Sequence, residues 1–425
     1  MERICVEIEK MVCGGDCIAK YEGKTVFIPY AIPGEKVEIE ITEDCKDFYR
    51  AKIVDIIEKS VHRTEPACKL YGKCGGCNLM HIDYGFQKEL KCEILKNAFE
   101  REGINLEKVD VICGNEKNYR SRFQFHDGGL MMKQSNNIIP VENCLCACEE
   151  INKYLEEVPF EQREKGRVQI FGSEKISSIP EGFDKIIVAK ETEMERVRNE
   201  RKNYEAKSRT VNGRKLKKTK PIKKMYAGST QSQENFCTVN ICGKNVSFDV
   251  QGFFQSNLEV LEKCIPYITE GLEGKNVLDM YSGCGTFSVF LKDKFDKVCL
   301  VEHNKAAIVY AEQNLTGTKH ESYGLSGEVW TKYHAENYIK QNGNFDAVVI
   351  DPPRSGMEKE VCMWLQKSNI PQIRSLSCDI ATHARDAKFL IRSGYKLEKI
   401  YLLDFYPHTG HIESLAYFTK ENETD

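Results

Sequence analysis

The chain has 425 residues, 41% hydrophobic and 29% charged, which is room for two or three domains at roughly 150 residues each. That composition excludes a disordered, collagen-like or membrane-embedded protein, and no window approaches the ~18–20 uninterrupted apolar residues of a membrane span. A net charge of −3 decides nothing about a nucleic-acid partner, whereas 19 cysteines are many for a chain whose opening Met1-Glu2-Arg3-Ile4-Cys5-Val6-Glu7 has no signal-peptide core. The expectation is a cytoplasmic protein whose cysteines are free thiols, metal ligands or catalytic groups.

Residues 1–60 read as strands. Val37, Ile39 and Ile41 alternate with Glu38 and Glu40, the period of a half-buried strand. Val26-Phe27-Ile28 precedes it across a Pro33-Gly34 turn, and Ile53–Ile57 follows. Several short strands in so few residues suggest a small β-barrel of the oligonucleotide-binding kind.

Cys68, Cys74 and Cys77 then fall within ten residues, with Gly75 and Gly76 between the last two. Thiolates two residues apart can grip one metal centre, as in zinc and iron–sulfur sites. The spacing does not decide between them, and Cys144, Cys146 and Cys148 are candidates for a fourth ligand. Residues 84–102 follow as an amphipathic helix. Its apolar face carries Phe86, Leu90, Ile94, Leu95, Ala98 and Phe99, with Asp83 as N-cap and Gly103 as the stop. Residues 196–224 hold 13 Lys or Arg against Glu200 and Glu205, a local +11 that leaves the rest of the chain at −14. Such a run suits a phosphate-binding arm as well as it suits a solvated loop.

From about residue 248 strand and helix alternate, as in a doubly wound parallel sheet. The strand candidates are Asn276–Met280, Lys297–Val301, Phe345–Ile350 and Ile373–Ser377, and Lys305–Asn314 is a candidate helix. After the first strand comes Tyr281-Ser282-Gly283-Cys284-Gly285-Thr286-Phe287, a loop that lets the backbone approach a nucleotide-like ligand. Ser288 stands where a dinucleotide fingerprint has its third glycine. Glu302 closes the next strand 23 positions after Asp279, where a carboxylate can accept from ribose hydroxyls. Together these suit an adenosine cofactor without a pyrophosphate, such as S-adenosylmethionine. Asp351-Pro352-Pro353-Arg354 forms a stiff wall at a strand end, with an arginine where amine-methylating enzymes carry an aromatic. Cys378 also ends a strand at the crevice, the position of a nucleophile.

In this order the motifs resemble those of the RNA uracil-5-methyltransferases, in particular the branch acting on 23S ribosomal RNA, over nearly the whole chain. The resemblance rests on Phe27-Ile28-Pro29 and Ile32-Pro33-Gly34-Glu35, the cysteines, and Tyr119-Arg120-Ser121-Arg122. It continues through Phe254-Gln255-Ser256-Asn257, the glycine loop and Asp351–Gly356. Ser377-Cys378, Ala381-Thr382, Ala384-Arg385-Asp386, Pro407-His408-Thr409 and His411-Ile412-Glu413 complete it. It implies an α/β protein of three parts: an N-terminal OB-like β-barrel (TRAM) over 1–60, a central iron–sulfur domain over 61–247 and a Rossmann-like methyltransferase domain over 248–425. It also implies a [4Fe-4S] cluster on Cys68, Cys74, Cys77 and Cys144, and S-adenosylmethionine bound by Gln255, Tyr281, Thr286, Glu302 and Asp351. Cys378 would be the nucleophile and Glu413 the base. Thr286 stands where several relatives carry Asn, and Asp379-Ile380 replaces the usual Asn-Pro. The implied partner is RNA, 23S ribosomal RNA first and transfer RNA second, with no membrane and a monomeric chain. The rival readings are a redox protein built on the cluster and an RNA-binding protein with an inactive methyltransferase domain.

Overall fold

The structure is a computed structural model, and it describes residues 3–190 and 235–420. The basic segment 196–224 lies outside the described residues. The N-terminal strands form one six-stranded sheet, in the order Ile4–Glu7, Lys36–Asp44, Phe48–Glu58, Lys24–Ile28, Cys17–Tyr21, Lys10–Met11. The alternation seen in the sequence is the burial pattern. Val37 and Ile39 are buried while Glu38 and Glu40 are not, because successive strand side chains point to opposite faces.

The helix Tyr84–Arg101 starts where Asp83 accepts from the Phe86 N–H, and Gly103 follows it with φ +82°. Leu90, Ile94, Leu95 and Phe99 bury its apolar face in the core that also takes Ile380, Ala384, Ala387 and Leu390 of the helix Ile380–Arg392. Its polar face contributes a buried ion pair. Lys91 Nζ lies 2.7 Å from Asp404 Oδ1, and the Tyr84 hydroxyl donates to Asp404 Oδ2 at 2.9 Å. A lone charge could not stay buried there, so each ion is held by the other.

The C-terminal part is an eight-stranded sheet: His320–Tyr323, Phe295–Val301, Gly274–Met280, Ala347–Ile350, Gln372–Ser377, Glu413–Lys420, Tyr395–Asp404, Asp110–Cys113. The first five are parallel to one another and Glu413–Lys420 is antiparallel to both of its neighbours. The four candidate strands lie where the sequence put them to within two residues, and the helix Lys305–Asn314 is as read. The edge strand Asp110–Cys113 was not expected. It pairs in parallel with Tyr395–Asp404, so a segment assigned to the centre of the chain completes the C-terminal sheet. Four residues with one buried position, Ile112, carry too little pattern to be read as a strand.

Two three-stranded sheets fill the middle: Ile186–Lys190, Arg167–Gly172, Arg122–His126, and Ile176–Ser178, Phe236–Ile241, Lys244–Asp249. No helix among the described residues is long and apolar enough to cross a membrane.

Candidate active site

A parallel sheet of this order changes direction beside Gly274–Met280, and ligands bind in the crevice outside the strand ends there. Met280 pairs with Ile350, so the next residues, Tyr281 and Asp351, stand side by side at the crevice. The Tyr281 hydroxyl donates to Glu358, a partner the sequence did not single out. Asp279 is buried beneath the loop, and its Oδ2 accepts from the Ser288 N–H and Oγ at 3.1 and 2.6 Å. Glu302 holds the loop from the next strand, accepting from the Gly283 N–H at 3.0 Å and from the Asn304 N–H at 2.6 Å. Thr286 Oγ1 lies 3.4 Å from Cys284 Sγ. Burial, with nearby carboxylates, raises the carboxyls of Asp279 and Asp351 to about 7, against the Ser288 hydrogen bonds that lower Asp279.

Cys378 and Glu413 meet through strand register. Gln372–Ser377 and Glu413–Lys420 are antiparallel with Ser377 opposite Ser414, and one further step sets Cys378 opposite Glu413. Burial, then the Asp351 charge, raises the Glu413 carboxyl to about 8, with Arg354 opposing. The Cys378 thiol is raised by burial, Glu413 and Asp351, and lowered by Arg354. These four groups therefore form one electrostatic cluster at the mouth of the crevice.

The wall of the crevice is fastened by the helix after Cys378. Asp379, in place of the usual Asn, caps it by accepting from the Thr382 N–H at 3.0 Å. Thr382 Oγ1 donates to the Arg354 carbonyl, Arg385 Nη2 to the Ser355 carbonyl, and the Met357 N–H to Asp386 Oδ2 at 2.8 Å. A Cβ on Gly356 would stand 2.3 Å from the Arg385 guanidinium and 2.5 Å from Asp386. Only glycine, at φ +77°, lets the loop come this close.

Gln255 Oε1, Asp279 Oδ1 and Ser282 Oγ are buried with no protein partner. A buried polar atom without a partner is costly, and a ligand with donors of its own would satisfy them. With the carboxylates around them they fit an adenosine cofactor bearing a positive charge. Phe253, two residues before Gln255, is 67% exposed, and the sequence reading passed over it. An aromatic two residues before Gln255 was the available signal.

The cysteines form a second gathering. Cys68, Cys77 and Cys144 pack around Met80, Tyr119 and Cys146, and the Cys77 and Cys146 sulfurs lie 3.6 Å apart. Cys148 turns away, its thiol donating to the Gly172 carbonyl at 3.0 Å. Yet among the described residues no group of three or more His, Cys, Asp or Glu side chains is arranged to hold a metal ion. Cys68, Cys74, Cys77 and Cys144 are brought into one neighbourhood but not into a formed ligand set. The expected central iron–sulfur domain is therefore not shown. The thiols sit on loops, where spacing fixes proximity and leaves sulfur positions free.

Residues 83–421 match the model of the tRNA (uracil-5-)-methyltransferase family, and residues 2–54 match the TRAM domain. The chain belongs to this family of S-adenosylmethionine-dependent RNA uracil-5-methyltransferases. An RNA methyltransferase of Treponema denticola is 36% identical over 99% of this chain and 100% of its own. The 23S rRNA (uracil(1939)-C(5))-methyltransferase RlmD of Aliivibrio fischeri is 28% identical over 99% of this chain and 97% of its own. Among solved structures, the tRNA (uracil-54, C5)-methyltransferase of Pyrococcus abyssi shares the fold. Its TM-score is 0.68 at 20% identity, over 98% of this chain and 100% of that one.

Proposed function

We propose that this methyltransferase modifies carbon 5 of a uridine in 23S ribosomal RNA, with Cys378 as nucleophile and Glu413 as base. The observation that carries the catalytic reading is the register that sets the thiol opposite the carboxylate beside Asp351. Carbon 5 of uracil is too weak a nucleophile to be alkylated directly. The Cys378 thiolate adds to carbon 6 and turns the ring into an enolate whose carbon 5 is electron-rich. S-adenosylmethionine supplies the electrophilic methyl group. Glu413 then takes the proton from carbon 5, the electron pair restores the ring double bond, and the sulfur leaves carbon 6.

A base must be unprotonated to act, and a carboxyl raised to about 8 binds that proton more firmly than an ordinary one. Gln255, Tyr281, Thr286, Glu302 and Asp351 are the residues we assign to the cofactor. The exposed Phe253 ring offers a stacking face for a base drawn out of folded RNA.

Ribosomal RNA is favoured over transfer RNA because, over nearly the whole chain in both cases, the ribosomal enzyme of Aliivibrio fischeri is 28% identical and the transfer-RNA enzyme of Pyrococcus abyssi 20%. Mapping 5-methyluridine by mass spectrometry in both RNAs, with and without the gene, decides. Loss from 23S ribosomal RNA alone supports this reading, and loss from transfer RNA alone replaces it with the second.

The finer reading of the cysteines is a [4Fe-4S] cluster on Cys68, Cys74, Cys77 and Cys144. Its support is that four thiols, which are soft-metal ligands, share one neighbourhood, with Gly75 and Gly76 between two of them. Protein purified without oxygen should contain iron and inorganic sulfide. Stoichiometric zinc without iron would overturn this assignment.

A further inference from the structure

Asn78 follows Cys77 directly and joins three parts of the molecule. Its backbone N–H and that of Leu79 both donate to the His408 carbonyl, at 3.0 and 2.9 Å. Its side-chain Nδ2 donates to the Gly14 carbonyl at 2.6 Å, and its Oδ1 accepts from the Gly410 N–H at 2.9 Å. One partner is an acceptor and the other a donor, so the amide has a single satisfied orientation. Gly14 and Gly410 also pair with each other as an isolated bridge. A Cβ on Gly410 would lie 2.3 Å from the Gly14 carbonyl carbon. The approach is closed to any other residue.

What Asn78 holds is the loop that delivers Glu413. Gly410 is three residues before it, and His408 sits in the left-handed region at φ +63°. A histidine stays in that strained conformation only where its surroundings fix it. Here Gln87 accepts from the His408 N–H at 3.0 Å and pairs with Nδ1 at 3.1 Å, and Lys91 donates to the Tyr406 carbonyl. These bonds fix the start of the loop from the helix Tyr84–Arg101. Its later part, next to Glu413, is fixed by Asn78 and the Gly14 turn of the N-terminal sheet.

We propose that Asn78 is a positioning residue for Glu413, so that the cysteine loop sets how well the enzyme releases its product. This rests on the assignment of Cys378 and Glu413 above. Methyl transfer needs the thiolate but not the base, so loosening the clasp acts on the last step alone. Carbon 5 is methylated, its proton is not removed, and the carbon 6–sulfur bond does not break. The sign of a misplaced Glu413 is thus a methylated covalent enzyme–RNA complex that forms at a normal rate and persists.

The test follows adduct formation and decay in single turnovers with whichever of unmodified 23S ribosomal RNA and transfer RNA transcripts the enzyme methylates. Asn78→Ala removes both side-chain bonds, Gly410→Ala opens the clasp from the other side, and Glu413→Gln is the control. Binding of S-adenosylhomocysteine reports that each variant is folded. The expected result is adduct formation within about threefold of the wild type, and decay slowed at least about tenfold in both clasp variants, near 1.4 kcal/mol. Wild-type decay in Asn78→Ala and Gly410→Ala, with slow decay in Glu413→Gln, overturns the role of Asn78 and leaves the base assignment intact. Parallel loss of formation and turnover in a folded variant also overturns it, since the clasp would then be merely structural. Normal decay in Glu413→Gln overturns the base assignment itself.

Discussion

The crevice and the cysteine loop both gather reactive side chains, by different means. In the crevice, hydrogen-bonded strand registers end at Met280 with Ile350 and at Ser377 with Ser414, so Tyr281 and Asp351, like Cys378 and Glu413, each lie one residue beyond a paired position. In the cysteine loop, glycines and turns bring the thiols near one another, with the Cys77 and Cys146 sulfurs 3.6 Å apart. A ladder fixes its side chains whether or not a ligand is bound. A loop fixes its side chains only through what it touches, which for this loop includes Asn78 and the backbone pairing of Cys74 with Met132.

The largest effect that would break this comparison is chemical. Cys378→Ala should lower turnover by about ten-thousand-fold, near 5 kcal/mol of barrier, while cofactor binding measured by calorimetry stays intact. If instead the register only props the site open, cofactor binding falls along with turnover.

Next in size is the ion pair behind the catalytic loop. Lys91→Ala leaves Asp404 buried and unpaired, so urea denaturation should show a loss of about 3–5 kcal/mol. Replacing both, Lys91→Met with Asp404→Leu, should cost much less. A small loss in the single variant would mean that water reaches Asp404.

A third outcome concerns pH. The carboxyls of Asp351 and Glu413 are raised in the folded state, to about 7 and about 8. The folded protein therefore holds protons that the unfolded chain has already lost. The contribution of these two groups to stability in the absence of ligand is full below pH ~4, the ordinary carboxyl range. It falls as pH rises towards 8. Across that window the melting temperature of Glu413→Gln should rise relative to that of the wild type. A difference that stays constant with pH would contradict the buried-carboxylate account.

The smallest effect sharpens the electrostatics. Arg354 lowers the proton affinity of both Cys378 and Glu413. Arg354→Gln should shift the pH dependence of turnover to more alkaline values. An unshifted profile would show that its charge is screened from the site.

What the sequence revealed follows the same division. Period-two burial in Val37 and Ile39, the glycine loop after Met280, and Cys378 at a strand end are local signals, and local signals survive folding. The placement of Glu413 was not local, since nothing around it predicts a partner 35 residues earlier in the chain, and only the resemblance pointed to it. The strand Asp110–Cys113, the Lys91–Asp404 pair and the Asn78 clasp depend on contacts across more than a hundred residues, which no periodicity encodes. Thiol spacing announced a gathering of cysteines and could not set their sulfur positions.

The most direct measurement is peptide mass spectrometry on the enzyme trapped with RNA containing 5-fluorouridine and S-adenosylmethionine. Fluorine at carbon 5 leaves no proton for Glu413 to remove, so the sulfur–carbon bond should persist through denaturation. We predict a nucleotide mass on the peptide carrying Cys378, and no complex from Cys378→Ala. A stable complex attached elsewhere, or the same complex from the alanine variant, would contradict the account.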